Sequence, residues 1–166
     1  MNWKLVLIGG LAFYLASWLV SPITMPLIHE GVLAKDYEST VVFWRPELIT
    51  QNITALLPRW IVTGLIGAFI TAGIYGWIRS ALVGAGWLRG LKFGAALSLL
   101  SLTFMLAWSG VFNLPDRMWA WWAVDSTTML LVASTALGWI AEKVAPVAVH
   151  PSLASTGQAT AGLRPQ

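Results

Sequence analysis

Asp125 is the one ionisable residue inside the long apolar runs of this 166-residue chain. It lies about eight residues past Arg117, or roughly 12 Å along a helix that rises 1.5 Å per residue. A charged Asp at the centre of a membrane helix costs on the order of 3 kcal/mol. Ser126, Thr127 and Thr128 follow it and make a polar cluster facing several directions. The functional reading is a proton or cation site, or an anchor for a partner helix. The structural reading is a carboxyl that is protonated or hydrogen-bonded to hydroxyls of neighbouring helices. Arg59, at the head of another apolar run, is placed to reach toward it.

His29-Glu30 follows the first apolar run. His is a favoured ligand for metals and haem. A haem held by two His of this chain is excluded, because the second, His150, is predicted on the opposite side in the tail. A metal site drawn from His29, Glu30, Asp36, Glu38 and Glu47 matches no known ligand spacing. The plainer reading is a polar loop with His29 at headgroup level. Phe43-Trp44-Arg45-Pro46-Glu47 is the most distinctive short string. Arg45 and Glu47 could pair, hold lipid headgroups or dock a partner, and such strings beside a membrane are more often interfacial anchors. There is no glycine-rich phosphate loop and no nucleophile elbow. The hydroxyl residues within the runs read as helix glue, worth about 0.6 kcal/mol each when paired. No catalytic, cofactor-binding or metal-ligating residue is assigned, and no cofactor is expected.

These residues have to be positioned by apolar helices. The chain is 57% hydrophobic and only 10% charged, against about 25% charged for a soluble domain. Most of its surface must therefore face lipid or other apolar helices. The ten Lys and Arg residues are scattered among apolar runs without forming a basic face, which argues for topology signals and against nucleic acid. The absence of Cys excludes disulfides and thiol chemistry. The 11 Trp residues suit membrane–water boundaries.

Four spans are expected, at about 5–28, 60–78, 92–114 and 118–141, each close to the roughly 20 residues needed to cross a bilayer. Pro22 and Pro26 predict a kink or an early end to regular helix at about Ser21. Residues 29–40 read as a solvated loop. From Pro46 the pattern turns helical, with Ile49, Ile53, Leu56 and Trp60 on one face, which predicts a short amphipathic helix in the interface. Small residues recur every fourth position in the second span (Gly64, Ala68, Ala72, Gly76) and in the third (Gly90, Gly94, Ser98). Such faces let helices approach closely in lipid, and the two are expected to meet. Residues 146–166, rich in Ala, Ser, Thr, Gly and Pro, read as a flexible cytoplasmic tail. The fold class is thus an all-α antiparallel bundle of four membrane helices with an interfacial amphipathic helix in the 29–58 loop.

Lys4, Arg79, Arg89, Lys92, Lys143 and Arg164 fall on the side of both termini, and Lys35, Arg45, Arg59 and Arg117 on the other. The short basic connection between residues 79 and 92 places both termini in the cytoplasm.

The opening Met1-Asn2-Trp3-Lys4, the exit Tyr75-Gly76-Trp77-Ile78-Arg79, the glycine-rich basic loop to Lys92 and the exit Leu137-Gly138-Trp139-Ile140-Ala141-Glu142-Lys143 resemble uncharacterised four-span bacterial inner-membrane proteins. The resemblance covers layout over roughly residues 1–143, and the 29–58 segment departs from it. It implies a bacterial inner-membrane location and transfers no residue role. The expectation is a non-enzymatic accessory or scaffold subunit whose partners are lipids and other membrane helices, in a homo-oligomer or a larger complex. The alternative is a small transporter or channel subunit using Asp125, and a weaker one is a membrane enzyme acting through His29, Glu30, Arg45 and Glu47.

Overall fold

A computed structural model describes residues 2–50 and 52–146. The predicted tail beyond Pro146, with His150, lies outside them. The described residues are mostly helical, with no strand among them. Four helices are long and apolar enough to cross a membrane: Leu5–Val32 (α1), Leu57–Ala81, Gly86–Ser109 and Asp116–Val144.

The prolines of α1 do not end it. Regular helix continues from Gly10 to Thr24 with Pro22 inside it. Pro26 then sits in a widened stretch, Met25–Val32, whose bonds skip one residue further, as in the Leu33 amide donating to the Ile28 carbonyl at 2.8 Å. A widened turn accommodates the missing proline donors without leaving the helix. His29 and Glu30 are therefore helical.

Residues 34–39 are not loop either. They form a short helix, Ala34–Ser39 (α2). Leu33 and Ile28 are buried against Met118 of the last helix, with Tyr37, Trp44, Trp121 and Trp122 packed around them. Apolar burial thus folds this segment back onto the protein, although its charges suggest a solvated loop.

The single amphipathic helix expected from Pro46 is broken. Pro46–Ile49 (α3) is one turn, and a tight turn at Ile53–Ala55 precedes the next long helix. The Thr50 hydroxyl donates to the Pro46 carbonyl at 3.0 Å, a local bond that competes with helix continuation. Ile49 is exposed while Leu56 is buried, so the two do not share a face.

Leu57–Ile78 (α4), Gly86–Ser109 (α5) and Asp116–Val144 (α6) complete the fold. α1 packs between α4 and α6, and α5 packs along α6. The expected meeting of the two small faces does not occur. Gly64 and Gly76 of α4 lie against Tyr14 and Leu5 of α1, whereas Gly90 and Gly94 of α5 lie against Leu130, Ser134 and Gly138 of α6. Ser98 is buried on the same helix and its hydroxyl donates to the Gly94 carbonyl at 2.8 Å. The centre is filled by Leu5, Phe13, Ala16, Ala68, Ala72, Tyr75, Phe93, Ala133, Leu137 and Ala141.

Candidate functional site

A polar cluster forms where α1, α2 and α6 meet. Helical spacing builds it from three sides. On α6, Met118, Trp122 and Asp125 fall at intervals of four and three residues and so share a face. The widened end of α1 carries His29 toward that face. α2 brings Tyr37 alongside, two helical turns after His29.

His29 Nε2 lies 3.3 Å from Asp125 Oδ2, with both side chains largely buried. His29 Nδ1 lies 2.6 Å from the Tyr37 hydroxyl. Trp122 Nε1 donates to that same hydroxyl at 2.8 Å. An indole N–H only donates and a carboxylate only accepts. With Asp125 as a carboxylate and His29 as a neutral imidazole, Nε2–H donates to Asp125 and Nδ1 accepts the Tyr37 proton. The chain runs one way: Trp122 to Tyr37 to His29 to Asp125. Burial pushes the Tyr37 phenol above its ordinary value; the Trp122 bond opposes this and the Asp125 charge adds to it.

The cluster is locked from the side. Arg117 at the start of α6 pairs with Asp36 of α2 at 2.8 Å and also donates to the Val32 carbonyl at the end of α1. A guanidinium there complements the negative end of the α1 dipole. Thr40 is buried, donates to the Asp36 carbonyl at 2.7 Å and accepts from Trp44 Nε1 at 3.1 Å. Trp44, Trp122 and Tyr37 pack edge to face or tilted, with ring centres 5.2 to 6.5 Å apart.

The structure thus joins two residues that sequence reasoning held apart, His29 and Asp125. It does not bring in Arg59, because His29 is the partner of Asp125. Glu30 and Arg45 are exposed. Arg45 and Glu47 form no ion pair among the described residues, and Glu47 Oε2 is buried without a hydrogen-bond partner. Asp36 is committed to Arg117 and His29 to Asp125 and Tyr37, so the metal set weighed from sequence is dispersed; among the described residues no three His, Asp or Glu side chains gather to hold an ion. Tyr37 was not singled out from sequence, Trp44 was read only as part of an interfacial string, and Trp122 was not read as a site residue. The signal that would have found them is the helical spacing of His29, Leu33 and Tyr37, visible only once residues 29–40 are read as helix.

The opposite end is built on charges set against helix termini. Arg79 donates to the carbonyls of Ala141 and Ala145 at the end of α6. Glu142 pairs with Arg89 at 3.0 Å and lies against Gly86, the first residue of α5. Cation at a carboxyl end and anion at an amino end is the favourable arrangement for both dipoles. Lys92 donates to the Val83 carbonyl at 2.8 Å, and Lys143 sits 3.6 Å over the Trp139 ring.

Comparison with protein-family models, with curated proteins and with solved structures returns no match. The class defined here is a chain whose described residues are mostly helical, with four helices compatible with a multi-pass membrane protein and one partly buried polar cluster at the α1–α2–α6 junction.

Proposed function

We propose that this chain is a multi-pass protein of the bacterial inner membrane, an antiparallel helix bundle with both termini in the cytoplasm, and that it serves as an accessory or scaffold subunit without catalytic activity of its own. The observation that carries this reading is the uneven covering of α4. One face, with Ala68, Ala72 and Tyr75, is buried in the protein. On the other, Ile66, Ile70, Ile74 and Trp77 are exposed, and Gly67 and Gly73 have open space where a side chain would stand. Close van der Waals approach at small residues is what drives helices together in lipid. The apolar centre of Leu5, Phe13, Ala72, Tyr75 and Leu137 supports the same reading. Mild-detergent extraction from native membranes, native-gel separation and mass spectrometry test it. Defined co-migrating membrane proteins are the expected result; migration as a lone monomer overturns the reading.

A second reading is a small transporter or channel subunit using Asp125. The His29–Asp125 contact favours it, since a carboxyl within a span is held by a titratable partner. Ion flux in liposomes that is unchanged by Asp125→Asn removes it.

A further inference from the structure

We propose that Tyr37 is a redox-active tyrosine, a one-electron donor that passes its phenolic proton to Nδ1 of His29 as it is oxidised, with the adjoining indoles as the route by which the electron hole arrives. In the oxidation, a one-electron oxidant of the class of high-potential metal complexes takes one electron from the phenol. The O–H bond breaks and its proton moves to Nδ1. The products are a neutral tyrosyl radical, an imidazolium and the oxidant reduced by one electron. Return of one electron from a reductant, and of the proton from His29, restores the start.

Three observations carry this. First, the proton has a place to go. His29 Nδ1 lies 2.6 Å from the Tyr37 hydroxyl, and in the neutral imidazole with Nε2–H facing Asp125 it is the acceptor of the phenolic proton. The imidazolium formed faces Asp125 Oδ2, 3.3 Å from Nε2, so the new charge is met by a carboxylate. Second, the neighbouring rings lack such a base. Trp122 donates to a hydroxyl, Trp44 donates to the Thr40 hydroxyl, and Trp119 Nε1 is buried without a partner. Among the described residues, neither the Tyr14 nor the Tyr75 hydroxyl makes a hydrogen bond. An oxidised phenol or indole is a strong acid, so a hole moving among these rings settles where its proton can leave, which is Tyr37. Third, the rings form a continuous path. Trp119 and Trp122 are 5.4 Å apart, Trp122 and Trp44 6.0 Å, and Trp44 and Tyr37 5.2 Å between centres. The raised phenol adds that the resting group stays protonated, so electron and proton must leave together.

The test uses the full chain in detergent, a ruthenium polypyridyl photosensitiser as the oxidant and electron paramagnetic resonance as the readout. The expected signal is a neutral tyrosyl radical. It is lost in Tyr37→Phe, and in His29→Gln it forms about a hundredfold more slowly. The unaltered protein gives an independent arm. The chain has only two His residues, so nitrogen-15 labelling of histidine should show a coupling between the radical and one imidazole nitrogen. A radical that persists in Tyr37→Phe, one confined to tryptophan, or a tyrosyl radical without histidine coupling in the unaltered protein overturns the proposal. The labelling arm decides even where Tyr37→Phe fails to fold. The proposal stands independently of the accessory role.

Discussion

Gly90 of α5 and Gly138 of α6 face each other with no room for a β-carbon on either. A methyl built on Gly90 would collide with the Ser134 carbonyl and lie 3.0 Å from the Gly138 backbone. One built on Gly138 would collide with the Gly86 carbonyl and lie 2.6 Å from the Gly90 backbone. The neighbours are main chain, which cannot swing aside. Gly138→Ala is expected to destabilise the protein by about 1–3 kcal/mol, the range for overpacking. Gly67→Ala, with nothing within 4 Å of the new methyl, is expected to be neutral or slightly stabilising. Thermal unfolding of both variants in the same detergent checks the contrast; equal midpoints would refute it.

The His29–Asp125 contact joins the end of α1 to the middle of α6. A double-mutant cycle with His29→Gln and Asp125→Asn should give a coupling of about 0.6 kcal/mol, and no more than about 1.7 kcal/mol, as for other polar pairs between membrane helices. Chemical unfolding in mixed micelles supplies the four stabilities. Strict additivity would show that the contact contributes nothing.

Tyr37 carries a pH signature. Its folded-state phenol lies above the ordinary value of 10.0, so the folded protein holds this proton more tightly than the unfolded chain. Above pH 10 the unfolded chain loses the proton first, and stability falls as pH rises through the folded-state value. The contribution is fully present below pH 10. Tyr37→Phe is expected to flatten the alkaline limb of a melting-temperature profile relative to the unaltered protein. An identical alkaline slope in both would refute it.

Arg79 caps the carbonyls of Ala141 and Ala145 at the end of α6. Arg79→Ala is expected to destabilise by about 1–2 kcal/mol, as for cations at partly buried helix ends. Hydrogen exchange should quicken in the last turn of α6 before the middle of the helix changes. Uniform exchange along α6 would argue against a local cap.

Topology can be read directly because the chain has no Cys. Val42 and Val83 are 81% and 79% exposed and sit at opposite ends of the long helices. With both termini in the cytoplasm, Val42→Cys in intact cells should react with a membrane-impermeant maleimide, and Val83→Cys only after the membrane is opened. The reverse pattern would invert the proposed orientation.

The long helices were legible because length and hydropathy alone specify them. The partners within them were not. A four-residue small ladder says that something packs closely, but not which helix does so, and α6 offers Leu130, Ser134 and Gly138 at the same spacing as Gly90, Gly94 and Ser98. Residues 29–40 misled for a different reason. Their charges suggest solvent, yet Leu33 and Tyr37 recur at helical spacing and are buried or half-buried against α6. His29 and Asp125 were each visible as isolated polar residues. Their contact spans 96 positions of sequence, and no local pattern reports a pairing at that range.

That separation also orders events during synthesis. α5 and α6 adjoin along the chain, joined by the short stretch after Ser109, so this hairpin can close as soon as it emerges. α1 is made well before α6 and must wait for it before its far end finds its partner. The junction of His29, Tyr37 and Asp125 therefore cannot close until α6 has been made, whereas the α5–α6 hairpin needs only its own two neighbouring helices.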